Sequence, residues 1–185
     1  MFWMSNKILL TSFTTWLPHQ LSNSSDDLLN EISRLDTFPS LTFLRLLPVD
    51  IELASSCVIA KINELQPDVV ICCGMAESRT LLTIESTATC GEMVLTTPVN
   101  LLQLVTNSTA IISDNAGKFV CEGLYYSILK YIIDHKLNIR CIFVHVPILK
   151  KQNLAEIVLD FKLIIYKIKY SSKHYINKIS KSDFG

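Results

Sequence analysis

The chain predicts a single α/β domain in which helices cover both faces of a largely parallel, twisted central sheet, and three observations lead there. Short apolar or β-branched runs alternate with segments of helical spacing along most of the chain. The run PDVVICCG is almost continuously apolar and closes on glycine, as a strand buried on both faces does. The length, 185 residues, suits one hydrophobic core.

The elements follow in order. KILLTSF (7–13) reads as a buried strand. NSSDD (23–27) offers helix-capping side chains, and LLNEISRL (28–35) continues at helical spacing until FPS (38–40) breaks it. LTFLRLLPV (41–49) is a second strand, ended by proline. IELASSCVIAKINELQ (51–66) is a helix expected to turn Leu53, Cys57, Ile59 or Ala60, and Leu65 inward, and Pro67 stops it. PDVVICCG (67–74) is the central strand.

Between Met75 and Asn100 the periodicity weakens: LLTIEST is a strand candidate, while ATCGEMVLTTP has turn chemistry and predicts surface loops. After NLLQLV and AIIS comes an Ala-Gly turn, then the helix VCEGLYYSILKYIIDH (120–135) and the last clear strand, IRCIFVHVP (139–147). AEIVLDFKLIIYKIKY (155–170) places Ile157, Phe161, Ile164 or Ile165, and Ile168 on one helical face. Residues 1–170 are thus read as the domain and 171–185 as a flexible, lysine-bearing tail. The lysines at 162, 167, 169, 173, 178 and 181 read as a solvated face and tail rather than a docking surface.

Composition removes several function classes. Seventeen basic and 17 acidic side chains cancel, so no overall field favours nucleic acid or an anionic membrane surface. No apolar run approaches the roughly 20 residues of a spanning helix, and MFWMSNKILLTSF lacks the pattern of a signal peptide. The six cysteines, at 57, 72, 73, 90, 121 and 141, show no C-x-x-C spacing, so neither a metal site, another cofactor nor a disulfide framework is expected. Reduced thiols in the cytoplasm are the corresponding expectation.

Three residues stand out chemically. Cys121 falls in the first turn of its helix, where unpaired N–H groups and the dipole favour a thiolate; the alternative is an ordinary buried cysteine. His145 is an imidazole in an apolar strand, near the carboxyl end where α/β sites assemble; the alternative is a core histidine bonded to backbone. Glu85 lies in an apolar stretch, either on the wet face of an edge strand or as an acceptor that orients a histidine. A thiol nucleophile needs a base, and the base needs such an acceptor.

In combination these segments resemble the pyroglutamyl peptidases, the pyrrolidone carboxyl peptidase family of cysteine peptidases. KILLTSFTTW is similar to that family's opening strand and Gly-Phe-x-Pro-Phe turn, and QPDVVICCGMAESR to the segment leading to Gly-x-Ala-x-Gly-Arg. LTIES falls where the family has its catalytic glutamate; SDNAGKFVCEGLYY is similar to Ser-Asn-x-Ala-Gly-x-x-x-Cys-Asn, and FVHVP to the histidine strand. The resemblance implies a phosphorylase/hydrolase-like fold with Cys121 as nucleophile, His145 as base and Glu85 as its orienter. It further implies Phe13 and Trp16 as aromatic walls for a flat ring, and Arg79 as positive charge near the oxyanion. The implied partner is a peptide or blocked amino-acid substrate, and homo-oligomerisation is left open.

The departures concern recognition. Ser12, Thr15, Leu17 and Pro18 replace residues of the opening turn, Glu77 and Ser78 disturb the glycine before the arginine, and Ser86 replaces a basic residue. Asp114 and Glu122 stand where asparagines are usual, and would raise a thiol's pKa if they pointed at it. The stretch after Glu85 is shorter than in the family by roughly two dozen residues, which removes part of the expected cover. Two function classes follow: a hydrolase removing an N-terminal pyroglutamyl or related blocked residue, or a non-catalytic homologue that binds a ligand or protein.

Overall fold

Because successive side chains of a strand point to opposite faces, apolar residues at every position need cover on both sides, and five helices supply it. The computed structural model describes residues 7–35 and 40–170. In chain order its elements are β1 (Ile8–Phe13), α1 (Ser24–Ser33), β2 (Leu41–Leu47), α2 (Ile51–Leu65), β3 (Val69–Met75), β4 (Thr83–Glu85), β5 (Thr87–Cys90), β6 (Met93–Thr96), α3 (Leu101–Val105), β7 (Ile111–Ser113), α4 (Val120–Asp134), β8 (Arg140–Val146) and α5 (Leu154–Tyr170).

The main sheet runs β2-β1-β3-β8-β4-β7. Its pairings are parallel except β4 with β8, which are antiparallel. On one face, Ile8, Leu10, Ile71, Ile142 and Val144 pack with α1, α3 and α5. On the other, Leu9, Val70, Cys72, Cys141 and Phe143 pack with α2 and α4. The α5 stripe is the predicted one: Ile157, Phe161, Ile164, Ile165 and Ile168 are all buried, each such side chain being worth about 1.5–3 kcal/mol of transfer energy. Lys167, expected on a solvated face, instead donates to the carbonyls of Leu104 and Thr106 and caps the end of α3.

Two further expectations need correction. The inward stripe of α2 is Ala54, Ser55, Val58 and Ile62, whereas Leu53 and Cys57 are exposed. Small residues face inward there because α2 lies close to α4: a methyl group on Gly123 would come within 2.6 Å of Ile51. The second correction lies at residues 87–96, expected as irregular loop, which form the antiparallel hairpin β5–β6. Four-residue strands with an exposed face carry too little apolar alternation to register as a period. Residues 36–39, which include Phe38 and Pro39 of the predicted helix break, the tail 171–185 with its three lysines and His174, and positions 1–6 lie outside the described residues.

A polar network fixes the carboxyl end of β1. Asn23 caps α1 by accepting from the Ser25 amide. One turn on, Asp26 accepts from Ser12 Oγ at 2.7 Å and from both Nε and a terminal nitrogen of Arg45 at 2.8 Å. Burial alone would raise the Asp26 carboxyl; the bonds from Arg45 and Ser12 and the Arg45 charge outweigh it and hold it below the usual carboxylate range. A depressed folded-state pKa means that this stabilisation is present above about pH 4 and is lost as pH falls through the lower, folded value. Arg45→Met is expected to cost about 2–3 kcal/mol at neutral pH by leaving Asp26 enclosed and unpaired. Urea unfolding should also show a shallower loss of stability below about pH 4 in the variant than in the parent.

Candidate active site

Strand parity decides which polar side chains meet. Along β8, Cys141 and Phe143 face α2 and α4, so His145, two residues on, shares that face. Ile84 faces the opposite layer, which turns Glu85 toward α4. Cys72 faces α4 as well, and so does the position of Gly74, which lies in register with His145. Thr83 pairs with His145 and Glu85 with Phe143, so the carboxylate and the imidazole are diagonal neighbours across an antiparallel pair.

Glu85 and His145 are both buried, and Glu85 Oε1 lies 2.7 Å from His145 Nδ1. The same Oε1 accepts from an Arg79 terminal nitrogen at 2.6 Å, and the other terminal nitrogen of Arg79 donates to the Asn115 carbonyl at 2.8 Å. Burial would raise the Glu85 carboxyl, but the hydrogen bond to His145, the neighbouring Ser113 hydroxyl and the attraction of His145 and Arg79 hold it below its ordinary range. An ionised carboxylate only accepts, so Nδ1 carries the hydrogen and Nε2 of the neutral ring is left as an acceptor. Phe143 supports the imidazole from the side, with ring centroids 4.9 Å apart.

Cys121 is the second residue of α4, whose first intrahelical bond runs from the Gly123 amide to the Phe119 carbonyl. The Cys121 amide therefore has no helical acceptor. Its sulfur lies so close to the bare Cα of Gly74 that a methyl group there would approach it to 2.7 Å. This enclosure reverses the expectation of an activated thiolate: burial, then Cys72 and Glu85, push the thiol up to about 12, against the smaller opposing pull of its own backbone amide and Arg79. Neither added carboxylate contributes. Asp114 is exposed, and Glu122 turns away to accept from the amide and hydroxyl of Thr89 on β5.

Cys121 and His145 line one cavity of about 180 Å³, together with Phe13, Trp16, Met75 and Phe119. Phe13 is buried and forms its floor. Trp16 and Phe119 are half-exposed, with ring centroids 4.6 Å apart and planes inclined by 34°. Arg79 does not line the cavity; its charge is spent on Glu85 and the loop before α4.

The sequence from 96 to 169 matches the family model described as pyroglutamyl peptidase, a span that includes Cys121 and His145. The chain is 30% identical over 176 residues to the pyrrolidone-carboxylate peptidase of Thermoanaerobacter sp. (strain X514), covering 80% of this chain and 85% of that relative. It belongs to the pyroglutamyl peptidase family. A second relative, from Brevibacillus brevis, is 24% identical and covers 78% of this chain and 80% of its own length.

Solved pyroglutamyl peptidase structures share the fold. That of pyroglutamyl peptidase I from Bacillus amyloliquefaciens superposes with a TM-score of 0.79 at 22% identity, over 90% of this chain and 96% of that one. Pyrrolidone carboxyl peptidase from Thermococcus litoralis gives 0.76 at 17% identity, over 89% and 94%. Family and fold together make this chain a pyroglutamyl-peptidase-like hydrolase.

Against that family background, three features of the site were not apparent in the sequence. Phe119 occupies the N-cap of α4 without a side-chain cap bond, and that breach of capping preference was the available signal. The Trp16 loop is tied down by Gln20, whose Oε1 accepts from the Trp16 and Leu17 amides while its Nε2 donates to Glu77 at 2.7 Å. His19, in the same loop, contacts the same Glu77 carboxylate at 3.2 Å. Glu77, one of the two residues that disturb the family's glycine before the arginine, thus helps anchor an aromatic wall. The remaining described histidine, His135, caps its own helix through the Tyr131 carbonyl.

Gly74→Ala tests the packing of the sulfur. The new methyl would meet Cys121 Sγ at 2.7 Å and the Phe143 ring at 2.9 Å, so a loss of about 1–3 kcal/mol of stability is expected. Alkylation of Cys121, followed by mass spectrometry, should change more than that of the exposed Cys57 and Cys90, because only the first sulfur must move.

Proposed function

We propose that the protein is a cysteine peptidase that removes an N-terminal pyroglutamyl or related blocked residue from peptides by acyl transfer to Cys121. The observation that carries this reading is the buried Glu85–His145 contact at 2.7 Å, whose imidazole opens onto the same cavity as the Cys121 sulfur. The cavity suits a neutral, flat lactam: its walls are largely aromatic and aliphatic, and no carboxylate lines it to pair with a free α-ammonium group.

In this mechanism the thiol is protonated at rest, since its pKa lies near 12. Attack on the scissile carbonyl is therefore coupled to transfer of the thiol proton to His145 Nε2. Glu85 holds the ring by Nδ1–H and stabilises the imidazolium that forms; Arg79 keeps Glu85 ionised. The Cys121 amide, which has no helical acceptor, donates to the tetrahedral oxyanion. His145 then protonates the leaving amine as the C–N bond breaks, leaving a thioester. Water, deprotonated by His145, attacks the thioester carbonyl; the carboxylic acid leaves and the thiol is restored. The six free thiols fit a reducing compartment, the cytoplasm in this proposal. Among the described residues, no helix is long and apolar enough to cross a membrane.

A fluorogenic pyroglutamyl amide tests the reading. The parent should hydrolyse it, and Cys121→Ser or His145→Ala should lower kcat/KM by about 10³-fold or more. Equal rates for parent and Cys121→Ser would overturn it. One observation favours the second class, a homologue that binds without turnover: the Cys121 sulfur is packed against Gly74 and Phe143, an enclosure that raises its thiol. Calorimetric binding of a pyroglutamyl peptide that is recovered uncleaved would establish that class.

The state of the thiol can be read separately. Iodoacetamide should alkylate Cys121 at a rate that climbs about tenfold per pH unit from pH 7 to 9, as a small thiolate fraction requires. A plateau reached near pH 6–7 would instead reveal a preformed thiolate–imidazolium pair.

A further inference from the structure

We propose that Tyr125 is a positioning residue for the Glu85–His145 pair. Its side chain is fully buried, and its hydroxyl donates to the main-chain carbonyl of Glu85 at 3.1 Å. Glu85 is the last residue of β4, a strand of only three residues, and the ladder beyond it is carried by the Ser86 amide bonding to Ser113. That N–H and the Glu85 carbonyl belong to one planar peptide, so the Ser113 carbonyl holds it on one side and the tyrosine hydroxyl on the other, and the direction of the Glu85 side chain depends on how that peptide is set. The tyrosine hydroxyl supplies the second fixed point, from outside the sheet.

The ring acts on the other partner. Tyr125 lies 5.7 Å from Phe143, centroid to centroid, and Phe143 lies 4.9 Å from His145. One side chain therefore holds the carboxylate's backbone by its oxygen and backs the imidazole through an intervening ring. Tyr125 also follows Cys121 by four residues on α4, so both project from one side of the helix. Any shift of α4 carries the sulfur and the anchor of Glu85 together, which keeps the three groups in register.

A phenylalanine would bury the same hydrocarbon without enclosing a hydroxyl, so packing alone does not account for the oxygen. Burial, then the neighbouring Cys141, push its ionisation well above the ordinary tyrosine range, and the group stays a donor.

The inference deepens the proposed function in its kinetic readout and is independent of it in its spectroscopic one. Proton NMR of the full chain should show a low-field resonance for His145 Nδ1–H, assigned by its loss in His145→Gln. In Tyr125→Phe that resonance should move upfield and exchange faster with solvent. On the fluorogenic pyroglutamyl amide, kcat should fall about tenfold while KM stays within about twofold. Tyr126→Phe is the control that should leave both readouts in place.

An unchanged resonance with unchanged kcat in a folded Tyr125→Phe protein would overturn the proposal while leaving the peptidase reading intact. A moved resonance in a parent that hydrolyses nothing would uphold the positioning role and end the peptidase reading. Should Tyr125→Phe fail to fold, labelling with 3-fluorotyrosine keeps the hydroxyl and makes it a stronger donor. The His145 resonance must then shift, and its constancy would equally overturn the role.

Discussion

A carboxylate without solvent contact, kept ionised in the middle of a sheet, is the constraint on which the rest of this structure turns. Burial of Glu85 opposes its charge, and that cost is offset by His145 and Arg79, which both reach the same oxygen, and by the neighbouring Ser113 hydroxyl. The compensation is strict in geometry: the imidazole must present Nδ1–H, so the ring has one orientation and one tautomer. Nε2 is thereby left as the acceptor nitrogen of a ring that lines the cavity.

The fold makes this meeting a matter of strand parity. β8 is shared between a parallel neighbour, β3, and an antiparallel one, β4. Through the first it gains Gly74 in register with His145, a position with no side chain, where the sulfur of Cys121 can settle against the sheet. Through the second it gains Glu85 as a diagonal neighbour on the same face. A slip of one residue in either pairing would send the carboxylate or the imidazole into the opposite apolar layer. The extensive burial of that layer, including the α5 stripe, holds the register, so core packing and the candidate site are one energetic problem.

Much of this was legible from residue patterns, and the exceptions have definite causes. The strands β1, β3 and β8 and the helices α4 and α5 announced themselves because long buried elements carry strong periodicity. Cys121 stands out by its place at a helix start, and His145 and Glu85 as polar groups in apolar stretches. The inward face of α2 did not, because its small residues Ala54 and Ser55 point inward while the larger Leu53 points out; crossing distance, not hydrophobicity, chose the face. The hairpin β5–β6 is too short and too exposed to display alternation. Contacts set by tertiary proximity, such as Tyr125 to the Glu85 carbonyl across 40 residues of chain, leave no local trace at all.

The protonation state of Cys121 shows most clearly why local rules need the fold. Position at a helix start predicts a lowered thiol pKa, and the amide and Arg79 do pull that way. The same close packing that brings the sulfur to Gly74 removes its water and sets it near Cys72 and Glu85, and these influences outweigh that pull. A thiol held in this form cannot draw its reactivity from the dipole. In the proposed reaction the proton must leave as the S–C bond forms, and the acceptor must already be aimed. The requirement thus passes from the cysteine to the imidazole, and from the imidazole to the buried carboxylate that orients it.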